Sequence, residues 1–235
     1  MMRPLLVCAT AMELASFLDG RPHGKEQGPA GPTHFALGGA DLLITGPGIA
    51  NTIHGISVYL SRQLTLGNGL PTPMVNLGIA GGFGHFSPGD VAMASCCIDI
   101  HTGVEKGAFP HNSLPFDLIP GQEPTRQGRY PVEPLLLEQW RSRLTDRGIT
   151  SRTGPILTLS SISGTPSRVA ELEDAFSPVA EAMEGAAVAH VAALYQLPFL
   201  EIRTLSNAAG ERDKSRWDIP SACAALARVC SVFTA

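Results

Sequence analysis

The sequence predicts an α/β fold, in which a central, mixed but mostly parallel sheet carries helices on both faces. Short strand-like runs alternate with stretches of helical periodicity along most of the chain, and most of the strand-like runs are continuously apolar, as strands buried on both faces are. The 25 glycines and 19 prolines indicate many tight turns. A chain of 235 residues with 44% hydrophobic residues can build one sizeable core, so we predict a single domain over residues 1–235.

The first hundred residues alternate between predicted strands and helices. The strands are expected at 5–9, 34–37, 41–45, 74–77 and 91–98, and the helices at 11–18 and 49–64. The second helix has apolar residues at Ile49, Ile53, Ile56 and Leu60, which is helical spacing. Because Gly38 and Gly39 lie between two short strands, we expect a hairpin there.

The second half of the chain continues the alternation after one irregular segment. Residues 102–134 are rich in glycine, proline and polar residues, and loops of this length inside a domain are usually functional or mobile. Helices are then predicted at 135–147, 167–176, 185–195 and 220–233, and strands at 156–160 and 199–205.

Composition excludes several classes of function. The net charge of −4 offers no basic face for nucleic acid. The apolar run at the start is too short for a signal peptide, and no later stretch would span a bilayer, so we expect no membrane association and a cytoplasmic protein. Five cysteines without a CxxC motif and seven histidines without HExxH favour reduced thiols over disulfides, and predict no metal and no organic cofactor.

Four motifs follow predicted strands, where ligands of open α/β sheets bind. They are 10–13, 46–48, 78–82 and 206–207. The glycine-rich stretch 78–84 is followed by a turn and another strand, so it lacks the helix that a dinucleotide fingerprint requires. Its small residues fit either a crowded turn or a flat ligand lying against the main chain.

Three polar residues invite a functional interpretation, and each also has a structural one. Thr10 and Glu13 match a capping box, but Glu13 could also orient a water. Glu184 could offset a helix dipole, although Glu181 is near enough for that purpose. A carboxylate at Glu184 could instead accept hydrogen bonds from two vicinal sugar hydroxyls. Asn207 follows a strand, where asparagine is often a turn residue.

Taken together, the motifs resemble the nucleoside phosphorylase/hydrolase superfamily, and within it the methylthioadenosine/S-adenosylhomocysteine nucleosidases and the futalosine hydrolases of menaquinone biosynthesis. The resemblance runs from residue 5 to the C-terminus, is strongest to the futalosine hydrolases, and is weakest over 102–153. It is carried by the segments 10–13, 45–48, 76–82, 89–91, 181–186, 201–207 and 212–217.

The resemblance implies a role for each matching residue. Glu13 would deprotonate the attacking water, and Glu184 would hold the ribosyl hydroxyls while Met183 packs under the sugar. The other substrate-binding residues it implies are Pro47 near the ribosyl 5′ side, Ile79, Ala80 and Gly81 along the sugar and base, Ser163, Gly164 and Thr165 near the base, and Trp217 as a cover. Near Gly164 the sequence departs from the nucleosidases, which carry an aromatic residue shortly after this glycine.

Asn207 distinguishes between leaving bases. Adenine-cleaving nucleosidases carry an aspartate at this position, which can donate to N7 and accept from the 6-amino group. A departing 6-oxopurine presents N7–H as a donor and O6 as an acceptor, which matches a carboxamide. We therefore expect Asn207 to be catalytic and the leaving base to be hypoxanthine.

Hydrolysis is favoured over phosphorolysis, because neither the segment 10–17 nor the loop 78–84 has a basic residue to hold a phosphate dianion. The expected activity is hydrolysis of the N-glycosidic bond of futalosine. The alternatives are a methylthioadenosine, S-adenosylhomocysteine or aminofutalosine nucleosidase, a purine nucleoside phosphorylase, and a binding relative without turnover. Lys106 and the segment 102–134 are candidates for contacting the distal group of futalosine. A homo-oligomer, with a dimer favoured, is implied by the resemblance.

Overall fold

The structure is a computed structural model that describes residues 3–19, 24–27, 32–105 and 110–234. Its main feature is a ten-stranded sheet, and two further strands form a small separate ribbon. The strands are β1 (Leu5–Cys8), β2 (Gly24–Gln27), β3 (Thr33–Ala36), β4 (Asp41–Ile44), β5 (Met74–Gly82), β6 (Val91–Asp99), β7 (Val104–Glu105), β8 (Pro110–Asn112), β9 (Arg129–Pro131), β10 (Ser151–Thr158), β11 (Ala180–Ala182) and β12 (Phe199–Ala208).

Six α-helices flank the sheet in the described part of the chain. They are α1 (Ala15–Leu18), α2 (Ile49–Thr65), α3 (Pro134–Thr145), α4 (Pro166–Phe176), α5 (Gly185–Leu194) and α6 (Ile219–Phe233), with short 3₁₀ turns at Glu123–Gln127 and Lys214–Arg216. Helix α2 packs against α5 and helix α1 packs against α6, while α5 and α6 both contact β5 and β12. No helix among these residues is long and apolar enough to cross a bilayer.

The sheet is mixed, as the sequence predicts. Strands β4, β1, β5 and β12 are parallel neighbours, and so are β6, β10 and β11. The two parallel groups meet where β12 runs antiparallel to β6, and β2, β3 and β9 also pair antiparallel. Strand β11 additionally pairs with the end of β5, so β5, β12, β6, β10 and β11 close into a ring. The predicted fold class is confirmed.

Several predicted strand boundaries were wrong. The strand predicted at 74–77 continues through Gly82, and the strand predicted at 199–205 continues through Ala208. The glycines after Leu77 carry no apolar periodicity, but their backbone pairs with β12 on one side and with β11 on the other. The short strands β2, β7, β8, β9 and β11 were not predicted, because runs of two to four residues give little pattern.

The register between β5 and β12 shifts at one residue. Leu205 lies opposite Ala80 and Asn207 lies opposite Gly81, so Ser206 is the extra residue of a β-bulge. Bulges turn side chains out of the regular alternation and are frequent beside active sites. The polar end of β12 therefore points its side chains differently from the apolar part that precedes it.

None of the five cysteines, all of which the structure describes, forms a disulfide. Cys8, Cys97, Cys223 and Cys230 are buried in the structure, and Cys96 is half-buried. Burial raises the pKa of Cys8 and of Cys97, and in each case the charge of a neighbouring glutamate raises it further. These buried thiols are therefore protonated and available as weak hydrogen-bond donors at neutral pH.

Candidate active site

A buried polar cluster lies where the chain leaves the central strands. Glu13 follows β1, Gly48 follows β4, and Glu184 is the residue before α5. Arg203 comes from β12 and lies opposite Gly78 of β5 in the parallel register. These residues are separated by up to 190 positions in the sequence, and the sheet brings them together.

The two carboxylate oxygens of Glu13 have different surroundings. Oε2 accepts hydrogen bonds from the Thr10 backbone N–H at 3.0 Å and the Thr10 hydroxyl at 2.7 Å, with the Cys8 thiol at 3.5 Å. Oε1 accepts from the backbone N–H of Ile79 at 2.9 Å. A carboxylate oxygen accepts about two hydrogen bonds, so Oε1 retains capacity for a water molecule while Oε2 is saturated.

The reciprocal hydrogen bonds of a capping box form between Thr10 and Glu13, but they close a turn that precedes the helix, whose N-cap is Leu14. Thr10 Oγ1 accepts a hydrogen bond of 3.4 Å from the Glu13 backbone N–H, and Glu13 reaches back to the N–H of Thr10. The helix itself begins only at Ala15, after one turn of irregular chain. The reciprocal hydrogen bonds fix the Glu13 side chain and leave Oε1 facing the cluster. The structural and functional interpretations therefore apply to different oxygens of one carboxylate.

Gly78 is the point where the cluster is most crowded. A β-carbon added to this residue would lie 2.5 Å from Arg203 Nη1 and 2.7 Å from Glu13 Oε1. Both atoms thus occupy the space above the Gly78 backbone, and they lie close to one another. Only glycine allows the carboxylate and the guanidinium to approach β5 this closely.

Glu184 spans the loop before α2 and the guanidinium. Its Oε1 accepts a 3.0 Å hydrogen bond from the backbone N–H of Gly48, and its Oε2 accepts one of 3.2 Å from Arg203 Nη2. Gly48 has a φ of 86°, a left-handed conformation that glycine adopts readily and that aims this N–H at the carboxylate. Although Glu184 is the N-cap residue of α5, its side chain makes no capping hydrogen bond.

Glu181 does not offset the dipole of α5, although its position in the sequence suggested that it could. It lies within β11, and its carboxylate accepts hydrogen bonds from the Ser163 N–H and hydroxyl. One N–H group of the first turn of α5, that of Ala186, donates to the Thr158 hydroxyl at 2.8 Å. Burial raises the pKa of Glu181, partly offset by the hydrogen bonds from Ser163. Glu181 therefore anchors the segment that carries Ser163.

Arg203 is the only cation of the cluster in the described part of the chain, and it is fully buried. Its Nε donates to Glu201 Oε1 at 2.8 Å, in addition to the Nη2 contact with Glu184. Burial alone would lower the pKa of the guanidinium, but the charges of Glu201 and Glu184 raise it above its ordinary value. Arg203 is therefore a permanent positive charge held among carboxylates.

Asn207 is held in one orientation by its neighbours on β12. The Ser206 hydroxyl donates to Asn207 Oδ1 at 2.7 Å, and Asn207 Nδ2 donates to the Ala208 carbonyl at 2.9 Å. Asn207 lies within β12, so the alternative interpretation of this residue as part of a turn does not apply. Its carbonyl retains one acceptor position and its NH₂ one donor position. The carboxamide can thus still pair with both a donor and an acceptor of a ligand.

The segment expected near the base lies beside Gly81 and the end of β12. Ser163 is buried against Glu181, whose Cγ would be 3.3 Å from a β-carbon on Gly81. Gly164 and Thr165 are exposed, and Thr165 caps α4 by accepting from the Arg168 N–H at 3.2 Å. The structure thus brings Ser163 and Gly81 together with Asn207, which is the strand partner of Gly81.

The remaining predicted residues surround this cluster. Pro47 is exposed and precedes Gly48, while Ile79 and Met183 are half-buried and Ala80 is buried. Trp217 is half-buried, and its indole N–H donates to the Glu211 carbonyl at 3.0 Å. The N–H of the next residue, Asp218, donates to the Ser206 carbonyl at 2.9 Å, which keeps Trp217 beside the Asn207 end of the cluster. Lys106 lies outside the described residues.

Comparison with known proteins decides the family. A family model described as the phosphorylase superfamily matches residues 5–234. The chain belongs to the phosphorylase superfamily. It is 32% identical over 218 residues to a futalosine hydrolase of Acidothermus cellulolyticus, covering 92% of this chain and 82% of the relative. It is 31% identical over 188 residues to a 5′-methylthioadenosine/S-adenosylhomocysteine nucleosidase of Bacillus cereus, covering 79% and 76%.

Solved structures agree on the fold of this superfamily member. A futalosine hydrolase mutant of Helicobacter pylori superposes with a TM-score of 0.78 at 17% identity, covering 99% of this chain and 98% of that one. At this identity the likeness concerns the fold alone. The resemblance predicted from the ordered motifs is confirmed by the family match.

Three components of the cluster were not predicted from the sequence. They are the guanidinium of Arg203, the N–H of Gly48 and the carboxylate of Glu201. Arg203 did leave a signal, since an arginine and a glutamate occur inside the run 199–205, whose other residues except Thr204 are apolar, and buried charges must be paired. The N–H of Gly48 leaves no such signal in the sequence, because almost every residue has a backbone N–H.

Replacing Gly78 with alanine should disrupt the cluster. The added methyl group would displace Arg203 or Glu13, and displacing a reacting group by about 1 Å can cost roughly 100-fold in rate. We expect a fall in kcat of about that size, with a stability loss of about 1–3 kcal/mol from overpacking. Steady-state kinetics and urea unfolding measure the two effects.

The matched control is Gly69→Ala, because a β-carbon at Gly69 meets no atom within 4 Å. This variant should retain wild-type kinetics and stability. Wild-type kcat in Gly78→Ala would mean that the close approach of Glu13 and Arg203 at this point is not needed for turnover.

Proposed function

We propose that this protein hydrolyses the N-glycosidic bond of futalosine, releasing hypoxanthine and dehypoxanthine futalosine, in cytoplasmic menaquinone biosynthesis. The observation that carries the proposal is the buried cluster itself. Glu13 Oε1, which has room for one more donor, lies next to the Arg203 guanidinium, and Arg203 in turn contacts Glu184. A water held there could donate to Glu13, and the hydroxyls of a ribosyl ring could donate to Glu184.

The mechanism follows from the chemistry of the glycosidic bond. As the C1′–N9 bond breaks, its electrons enter the purine and the ribosyl ring gains oxocarbenium character. Glu184 would hold the ribosyl hydroxyls and lie near the developing positive charge. The water oxygen attacks C1′, and one water proton passes to Glu13, a role typically worth about 10²- to 10⁴-fold. The departing purine takes up a proton from solvent, and Glu13 afterwards releases its proton to solvent, so that one water is consumed and the base leaves neutral.

The charges of the cluster favour water over phosphate as the nucleophile. Arg203 donates to Glu201 through Nε and to Glu184 through Nη2, so two of its three nitrogens already donate to carboxylates. Glu13 and Glu184 would both repel a phosphate dianion placed between them. A phosphorylase needs cationic donors to hold the dianion, and Arg203, the one cation of the cluster among the described residues, already pairs with two carboxylates.

The leaving base is proposed from Asn207. Its carboxamide pairs with N7–H and O6 of a departing 6-oxopurine, while Ser206 and the Ala208 carbonyl fix its orientation. The similarity to a futalosine hydrolase over 92% of the chain supports the same base. The similarity to methylthioadenosine/S-adenosylhomocysteine nucleosidases supports the alternative, adenine release.

Replacing Asn207 with aspartate should change the preference between bases. An ionised carboxylate would put an oxygen beside the Ala208 carbonyl where Asn207 now donates, so the aspartate has to be protonated or reoriented. It then no longer matches O6 and N7–H together, and a mismatched buried pair costs about 1–3 kcal/mol. We expect kcat/KM for futalosine to fall about 10- to 100-fold, with a smaller fall or a gain for adenine nucleosides. An equal loss for both bases would contradict the assignment.

The function is tested by incubating the protein with futalosine, inosine and methylthioadenosine and identifying the released base. The proposal expects hypoxanthine from futalosine at the highest kcat/KM. Exclusive adenine release would instead identify a methylthioadenosine-type or aminofutalosine nucleosidase. Binding of all three nucleosides without turnover would identify a relative that binds nucleosides and has lost catalysis.

We also propose that the protein is a homo-oligomer, most simply a dimer. Helix α2 and the turn after it expose large apolar side chains, including Leu64 at 53% and Leu66 at 59% of their surface, which is the surface composition expected of an interface. Light scattering after size-exclusion chromatography tests this directly. For the distal carboxyphenyl group of futalosine, Lys106 and the segment 102–134 remain the candidates.

A further inference from the structure

Glu201 is a fully buried carboxylate that has no direct role in the proposed reaction. Its Oε1 accepts from Asn76 Nδ2 at 3.0 Å and from Arg203 Nε at 2.8 Å, while Oε2 accepts from the Cys97 thiol at 2.7 Å. Its accessible surface is 0%. Burying a carboxylate is costly unless it is fully paired, so a charge at this position requires a reason.

The position of Glu201 excludes contact with a substrate. It lies one strand repeat below Arg203 on β12, opposite Asn76 on β5. On its other side, a β-carbon on Gly185 would collide with its carboxylate oxygens, so the start of α5 is packed directly on this side chain. Glu201 therefore lies beneath the loop that carries Glu184, and it can act on the reaction only through its neighbours.

The contacts of Arg203 show how Glu201 can act on the reaction. The guanidinium donates to Glu201 and Glu184, and its Nη1 lies near Glu13 over Gly78. Without Glu201, one permanent positive charge would be shared between the two carboxylates assigned to the water and the ribosyl ring. With Glu201, the cluster formally holds three carboxylates and one guanidinium.

We propose that Glu201 is a positioning residue that acts as the counter-ion of Arg203, leaving the negative charges of Glu13 and Glu184 available to the water and to the oxocarbenium-like ribosyl ring. This role rests on the proposed function. It also explains the geometry, because the hydrogen bond to Nε fixes the guanidinium plane so that Nη1 and Nη2 reach toward two different carboxylates.

Among the described residues, the groups other than Arg203 that donate hydrogen bonds to Glu201 and Glu13 are neutral. Asn76 of β5 and the Cys97 thiol of β6 face Glu201 as neutral donors, and burial together with the charge of Glu201 raises the pKa of Cys97. Around Glu13, the Cys8 thiol of β1 and the Cys223 thiol of α6 both have pKa values raised by burial and by the charge of Glu13. Glu201 and Arg203 are thus the charges that tune the pair of functional glutamates.

The variant Glu201→Gln removes the charge while keeping the shape of the side chain. With Glu201 neutral, the guanidinium would be shared between Glu13 and Glu184 alone, which should oppose charge development on the ribosyl ring and make Glu13 a weaker base. We expect kcat for futalosine to fall about 10- to 100-fold, with KM changed much less. Because a carboxylate with less negative charge around it holds its proton less tightly, the acid limb of the kcat–pH profile should move to lower pH.

Two further variants separate charge from structure. Cys97→Ala removes a donor to the same carboxylate but leaves every charge in place, so the acid limb should stay where it is in the wild type. Glu201→Asp keeps the charge and shortens the side chain, so it should lower kcat without moving the acid limb. It also provides the comparison if thermal unfolding shows that Glu201→Gln is poorly folded.

A folded Glu201→Gln with wild-type kcat and a wild-type acid limb would overturn the proposal, and so would an acid limb that moves equally in Glu201→Asp. Both results presuppose a wild-type enzyme that cleaves futalosine. If the wild type cleaves no futalosine, the proposed function itself fails, and this outcome is distinguishable from failure of the counter-ion role alone.

Discussion

Replacing Glu13 with glutamine is expected to lower kcat for futalosine about 10²- to 10⁴-fold, the usual contribution of a general base, while KM changes little. The carboxamide cannot take a proton from water. It does retain the size of the side chain and one acceptor oxygen, and Glu13 is not assigned to any substrate hydroxyl. Stopped-flow or steady-state kinetics, together with a binding measurement on the variant, separate the two parameters.

The control for this variant is Glu138→Gln. Glu138 is an exposed residue of α3 that pairs with Arg141, so its replacement makes the same chemical change far from the cluster and should leave the kinetics unchanged. Wild-type kcat in Glu13→Gln would remove Glu13 from the mechanism. Loss of substrate binding with unchanged kcat would assign it to the sugar instead of the water.

Replacing Glu184 with glutamine should affect both KM and kcat. The carboxylate accepts from the Gly48 N–H and from Arg203, and a carboxamide keeps only one acceptor oxygen, so its NH₂ must face one of these donors. Leaving a buried donor unpaired costs about 1–3 kcal/mol, and the charge that would stabilise the ribosyl ring is also lost. We expect kcat/KM to fall about 10²- to 10³-fold.

The two glutamates are thus predicted to have different kinetic signatures. Glu13→Gln should lower kcat alone, and Glu184→Gln should raise KM as well as lower kcat. Measurement of both parameters on the same preparation tests the division of roles, since identical signatures would mean that the two carboxylates act as one unit. Unfolding in urea shows whether the Glu184 variant retains the fold.

The sequence was sufficient for the order of elements but not for the closure of the sheet. Apolar periodicity located the long helices and the buried strands, because these elements repeat their pattern over many residues. The end of β5 was missed because Gly78, Gly81 and Gly82 contribute backbone pairing without side-chain pattern. The short strand β11, which pairs with that end, was missed because three residues give little pattern.

The site could be predicted only in part. Glu13, Glu184 and Asn207 have local interpretations, and their joint order along the chain is what pointed to a nucleoside site. The structure adds that one oxygen of Glu13 bonds to Thr10 in the turn before α1, while the other accepts from the Ile79 N–H and has room for one more donor. Arg203 and Glu201 could not be assigned, because their importance depends on which strands become neighbours, and pairing partners are not encoded within a single segment.

The most direct test of the central claim is incubation of the purified protein with futalosine in phosphate-free buffer and in buffer containing phosphate, with quantification of all products. The cluster of Glu13, Arg203 and Glu184 predicts stoichiometric release of hypoxanthine and dehypoxanthine futalosine at the same rate in both buffers. Turnover that requires phosphate and yields a sugar 1-phosphate would contradict the account, as would the complete absence of hypoxanthine.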